Sequence, residues 1–127
     1  MLRRGLCQLQ PLAGIQEEDA QHLLAALVRL ALIRLPRLFA EREIYRGTLS
    51  RAAVDPRDIL KHGLLYGASR IIVFLTHPSG VPTPSGDDLD FTRRLAEAAD
   101  VIGLHLQDHL ILGLGGRWVS LQARGAF

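Results

Sequence analysis

The sequence predicts an α/β fold, a single domain built on a mixed central sheet flanked by helices. Three observations carry that expectation. A short apolar run, Ile71 to Leu75, is β-branched or aromatic at most positions, too short for a helix, and gives way to a loop dense in Pro, Gly and Ser. Helical patterns stand on either side of it, one after Asp55 and one after Ser85. Beyond the second, His105 to Leu112 alternates imperfectly, as a further strand would. A chain of 127 residues that is 48% hydrophobic suits one domain with one core.

Residues 1 to 16 show no periodicity and are expected to form a flexible tail, leaving 17–127 as the domain. From Glu17 the pattern turns helical. Glu17, Glu18 and Asp19 sit where a first turn favours acids, and Ala20, Leu23, Leu24 and Leu27 make one apolar face, so a helix is expected over about 17 to 29. Leu30 to Tyr45 admits two readings, the tail of that helix stopped by Pro36 or a hairpin turning at Pro36-Arg37. Gly47 to Asp55 reads as loop.

Asp55 followed by Pro56 is a helix start, with Asp55 as N-cap, Pro56 at the first helical position and Asp58 in the first turn. Ile59, Leu60, Gly63, Leu64 and Gly67 supply one face, the glycines allowing close packing on the sheet. After the central strand, Pro78, Pro82 and Pro84 stiffen the loop and hold His77, Val81 and Thr83 extended. Leu89, Thr92, Leu95, Ala99 and Ile102 then recur at helical spacing until Gly103. Gly113 to Gly116 reads as a turn and Arg117 to Leu121 as a last strand, with Trp118 available to cap the core.

Composition narrows the function classes. Net charge is +2, with no basic block, so nucleic-acid binding has no support from charge. Cys7 is the only cysteine, which excludes an internal disulfide and a cysteine-cluster zinc site and fits a reducing compartment. No apolar stretch suits a secretory signal, and Ala25 to Leu35 is short and broken by Arg29 and Arg34, so the expectation is a cytoplasmic protein without a membrane span.

The stretch THPSGVPTPSGDD, residues 76–88, resembles the metal loop of the RadC branch of the JAB/MPN (JAMM) metallopeptidase-like family. Typical members read HNHPSG, then Pro-Ser, then two residues and an Asp; His77, Ser85 and Asp88 fall at three of those positions. The resemblance continues through Gly47-Thr48-Leu49, Asp55-Pro56-Arg57-Asp58 and Leu106-Gln107-Asp108-His109-Leu110-Ile111-Leu112-Gly113, covering roughly residues 38 to 123. It implies a three-layer, JAB/MPN-like domain with a cytidine-deaminase-like arrangement, and it favours the hairpin at Pro36-Arg37.

It also implies roles. In the family two histidines and the Asp hold zinc, the Ser helps stabilise the oxyanion, and a Glu about five residues before the Gly-Thr pair is the general base. Here Leu75 stands at the first histidine and Arg42 at the glutamate, with Glu41 and Glu43 on either side. The expected metal ligands are therefore His77 and Asp88, and the expected catalytic residues Ser85 and Glu43, the latter or Glu41 reaching the metal face only through a β-bulge before Gly47. Without a bulge, alternation points both glutamates away from Arg42's face.

Ser85 and Asp88 also read as a capping box, which does not exclude a metal role. His77, before a proline in a turn, also suits a bond to nearby backbone. His105 and His109, four residues apart on a strand, are expected on one face and match no zinc-binding position. His22 and His62 read as surface or packing residues.

A catalytic zinc takes three protein ligands and an open position for water. The leading expectation is thus a domain with a degraded site, zinc binding weak or absent, acting as a binding or scaffolding module. The alternative is a zinc-dependent metallopeptidase with an adapted site, and a third reading is a decayed gene product. A protein or peptide partner, or a second copy of the chain, is expected at the exposed sheet edge or the rim around His77. RadC-like proteins are historically associated with DNA repair, but these residues add nothing to that association.

Overall fold

The computed structural model describes residues 26–34, 37–47, 54–77 and 79–127. In chain order they form strands β1 (Ala26–Arg34) and β2 (Arg37–Gly47), helix α1 (Pro56–Leu65), strand β3 (Arg70–Thr76), helix α2 (Gly86–Val101), strand β4 (His105–Leu112), a 3-10 turn (Leu114–Gly116) and strand β5 (Trp118–Ser120). The five strands make one sheet in the order β2-β1-β3-β4-β5. Its β3–β4 pair is parallel and the other pairs are antiparallel, so the sheet is mixed. The parallel pair is the one whose connection contains a helix, as parallel strands require.

β3 lies at the centre, and every residue from Ile71 to Thr76 is buried. Burial on both faces explains why it reads as a continuous apolar run and not as an alternation. Ile71, Val73 and Leu75 join Val28, Leu30 and Leu32 of β1 and Leu106 of β4 on one face, beneath Ile59 of α1 and Leu95 and Ala99 of α2. Ile72 and Phe74 join Ala31, Ile33, Leu110 and Leu112 on the other. Both described helices therefore cover the same face of the sheet. Gly63 lets α1 approach it, because a Cβ there would meet Leu104 Cδ2 at 2.5 Å.

Several expectations are corrected. Ala26 to Arg29 belong to β1 and not to a helix, while the rest of the expected 17–29 helix and the 1–16 tail lie outside the described residues. The hairpin reading of Leu30 to Tyr45 holds, and pairing to β3 overrides the local helical pattern. Trp118 does not cap the core. It is 49% exposed on the short last strand, and the fully buried Leu121 fills the inside position. Among the described residues no helix is long and apolar enough to cross a membrane.

Candidate functional site

The end of β3 and the start of α2 meet at one point. Ser85 caps α2: its Oγ accepts the Asp88 N–H at 3.1 Å, and the Ser85 N–H donates back to Asp88 Oδ2 at 2.8 Å. This reciprocal pair satisfies two backbone donors and fixes the Asp88 rotamer. The same Oδ2 lies 2.8 Å from His77 Nε2. His77 Nδ1 donates to the Val81 carbonyl at 2.9 Å, within the turn that closes through the Gly80 N–H to His77 O. His77, Ser85 and Asp88 are thus brought together, with Ser85 and Asp88 forming the capping box.

These bonds constrain the proton. A carbonyl accepts only from an N–H, so Nδ1 carries a proton and Nε2 faces a carboxylate. That is favourable if Nε2 is also protonated, or if a cation is shared between nitrogen and oxygen. Burial raises the Asp88 pKa, but the bonds from His77 and Ser85 outweigh it and hold the carboxyl well below its usual range. Asp88 is 2% exposed, so its charge is shielded from water and stabilised by these partners.

The glutamates lie elsewhere. β2 carries two bulges against β1, and neither lies between Arg42 and a neighbouring glutamate: one leaves Phe39 as the extra residue, and the other falls after Glu43, where Arg29 pairs with Glu43 and Val28 with Tyr45, leaving Ile44 extra. Ile44 and Tyr45 accordingly both pack on the helix-side core. Glu41, opposite Ala31, and Glu43, opposite Arg29, leave the sheet on the face away from the helices, and Glu41 pairs with Arg29. Arg42 alone of the three points to the helix side, where its Nε donates to the Tyr66 hydroxyl at 3.1 Å. Leu75 is 7% exposed in the helix-side core, between Val28 of β1 and Ile111 of β4.

His77 Nε2 and Asp88 Oδ2 converge, but Leu75 offers no donor, and among the described residues no three His, Cys, Asp or Glu side chains stand together as a metal site would require.

Thr92 and His109 were not singled out by the sequence as part of this site. Thr92 reads only as part of the apolar face of α2, and for His109 a bulge in β4 hides its place: Ile71 pairs with Leu106 and Ile72 with Asp108, so Gln107 is extra and the alternation slips. His105 and His109 therefore lie on opposite faces, the first exposed and the second 1% exposed against α2. Thr92 Oγ1 donates to the Asp88 carbonyl at 2.6 Å and lies 2.6 Å from His109 Nδ1. With the hydroxyl proton already given, Nδ1–H is the donor in the second bond. His109 Nε2 is buried with no hydrogen-bond partner among the described residues. Burial lowers the His109 pKa to about 4, with the Asp88 charge opposing and His77 adding to the shift.

The loop is pinned from the far side. The Leu114 N–H donates to the Gly80 carbonyl at 2.8 Å, and a Cβ on Gly113 would meet that oxygen and Pro82 Cδ at 2.7 Å each. Asp108, fully buried, accepts from the His109 N–H, the Ser120 hydroxyl and the Gln122 N–H, tying β4 to the C-terminal turn.

Residues 15–126 match the profile of the RadC-like JAB domain family. A UPF0758 protein of Enterococcus faecalis is 34% identical over 119 residues, 94% of this chain and 48% of its own length. One from Alcanivorax borkumensis is 43% identical over 90 residues, 71% of this chain and 40% of the relative. One from a Geobacillus species is 44% identical over 84 residues, 66% of this chain and 37% of the relative. The chain thus spans less than half the length of these relatives.

Proposed function

This chain belongs to the RadC-like JAB domain family, and on that premise we propose that it acts as a binding or scaffolding module whose metal site is incomplete. The observation that carries the reading is Leu75. It stands on β3 two residues before His77, which follows the end of that strand, at the place where the family's first histidine is expected, and it is buried in the helix-side core. Two donors alone hold a zinc ion weakly against water and buffer. Arg42 adds to the argument, since a guanidinium cannot accept a proton and its charge opposes a cation. The partner is a protein or peptide reaching the rim around His77 or the sheet edge.

Zinc content of the purified protein, loaded and then desalted, tests this. Well under one zinc per chain with an intact fold is the expected result. Close to one zinc per chain, lost on His77→Ala, overturns it.

One observation favours the second reading, a zinc-dependent metallopeptidase with an adapted site. The Nδ1–H bond to Val81 orients Nε2 toward Asp88, as a hydrogen bond from the other ring nitrogen orients histidines that bind metal. In that reading His77 and Asp88 hold the ion, and the zinc measurement decides between the two.

A further inference from the structure

His109 is a costly residue to place where it lies. Its ring is 1% exposed, and only one of its two nitrogens has a partner among the described residues. Leaving a buried acceptor unsatisfied costs about 1–3 kcal/mol, which an apolar side chain at this position would avoid. Val73 is its partner across the β3–β4 pair, and the ring of Phe91 stands edge-on to it at 6.3 Å. Packing alone therefore does not call for an imidazole here.

The polar connection that it does make runs to one atom of the site. His109 Nδ1–H donates to Thr92 Oγ1, and Thr92 Oγ1 donates to the main-chain carbonyl of Asp88, each at 2.6 Å. Threonine in a helix bonds the carbonyl four residues back as a matter of course, and that bond alone says little. What differs here is the second partner, which comes from β4 and joins the first turn of α2 to the sheet. We infer that His109 is a positioning residue: through Thr92 it holds the backbone of Asp88, and with it the carboxylate, against His77.

The inference rests on the reading that His77 and Asp88 form the site, and adds what keeps them together. The Ser85 cap restrains Asp88 from the loop side and the Thr92–His109 link from the sheet side. With the link removed, the first turn of α2 is free to shift by a few tenths of an ångström, enough to weaken a hydrogen bond whose strength depends on distance and angle.

The test is 15N NMR of the His77 ring nitrogens in the whole chain, treated with a chelator so that the result is independent of zinc. His109→Asn keeps an N–H donor near the Nδ1 position, whereas His109→Gln moves the amide toward Nε2. Thr92→Ser keeps the relaying hydroxyl, and Thr92→Val removes it. The expected result is wild-type His77 Nε2 shifts in His109→Asn and Thr92→Ser, and a displacement of several ppm in His109→Gln and Thr92→Val, signalling loss of the Asp88 bond. Loss of general stability without a change at His77 would mark a structural role only and overturn the proposal. If Thr92→Val does not fold, the two His109 variants decide alone: equal His77 shifts in both overturn the inference. Failure here leaves the zinc reading untouched, since that is read from metal stoichiometry.

Discussion

The guanidinium of Arg42 lies over the ring of Tyr66, its central carbon 4.4 Å from the ring centroid, while its Nε donates to the phenolic oxygen. Arg42 is thus built into the fold, joining β2 to the turn after α1. Arg34 reaches the same turn, with bonds to the carbonyls of Tyr66 and Gly67.

A cation over an aromatic ring contributes about 0.5–1 kcal/mol at partly exposed sites, and a neutral hydrogen bond about 1. Arg42→Ala is expected to lower unfolding free energy by about 1–2 kcal/mol. A double-mutant cycle with Tyr66→Phe should give a coupling below about 1 kcal/mol, because the phenylalanine keeps the ring. Urea unfolding of the four proteins measures both, and no loss in Arg42→Ala would show that the contact is incidental. Replacing Arg42 by Glu to supply a base removes this clamp, so activity must be read beside stability.

Leu75→His places a third donor on β3 two residues before His77, next to the point where His77 meets Asp88. Zinc affinity is expected to rise by orders of magnitude over wild type, at a cost in core packing of about 2–3 kcal/mol. Isothermal titration of both proteins checks it. Unchanged affinity in a folded variant would mean that the three side chains do not converge.

The central strand, both described helices and their caps were legible because each rests on local chemistry: a β-branched run, Asp55-Pro56, and Ser85 three residues before Asp88. The first hairpin was not decided by its residues, since the apolar pattern of Leu30 to Tyr45 serves a helix or a strand until β3 is there to pair with it. The face of His109 was lost for another reason. It depends on a one-residue bulge at Gln107, and a bulge is a property of two strands in register that neither strand announces alone. β2 also has a bulge at Ile44, but it falls after Glu43, which keeps the face that plain alternation gives it.

Acid should weaken the fold in a defined order. His109 has a folded pKa of about 4 against about 6.5 when unfolded. Between those values the unfolded chain binds a proton that the native one excludes, so stability present above about pH 6.5 is lost as pH falls toward 4. At about 1.4 kcal/mol per unit, the full loss is about 3 kcal/mol. Asp88, held below its ordinary range, adds a loss at still lower pH, as it is forced to protonate. Urea midpoints at pH 7.5 and 4.5 should differ by clearly less in His109→Asn than in wild type; equal differences would contradict the assignment.

Asp108→Ala should be among the most damaging single changes on the far face. It leaves the His109 and Gln122 N–H groups and the Ser120 hydroxyl without their acceptor. Burial raises the Asp108 pKa, and those three bonds oppose the rise. The expected cost is about 2–4 kcal/mol. A loss under 1 kcal/mol by thermal or urea unfolding would show that the C-terminal turn is held by packing of Leu121 instead.

The missing side chain of Gly113 gives the rim its mechanical character. With φ near −120°, the residue needs no special backbone freedom, so glycine is required there for space alone. Because Gly80 and Pro82 rest against it and the Leu114 N–H bonds the Gly80 carbonyl, the His77 loop and the β4–β5 turn are in direct contact. A methyl group at 113 becomes a wedge driven under the loop from behind, against the Gly80 carbonyl that accepts the Leu114 N–H and against Pro82. A partner pressing on the exposed turn at Gly115 and Gly116 would push on the same lever.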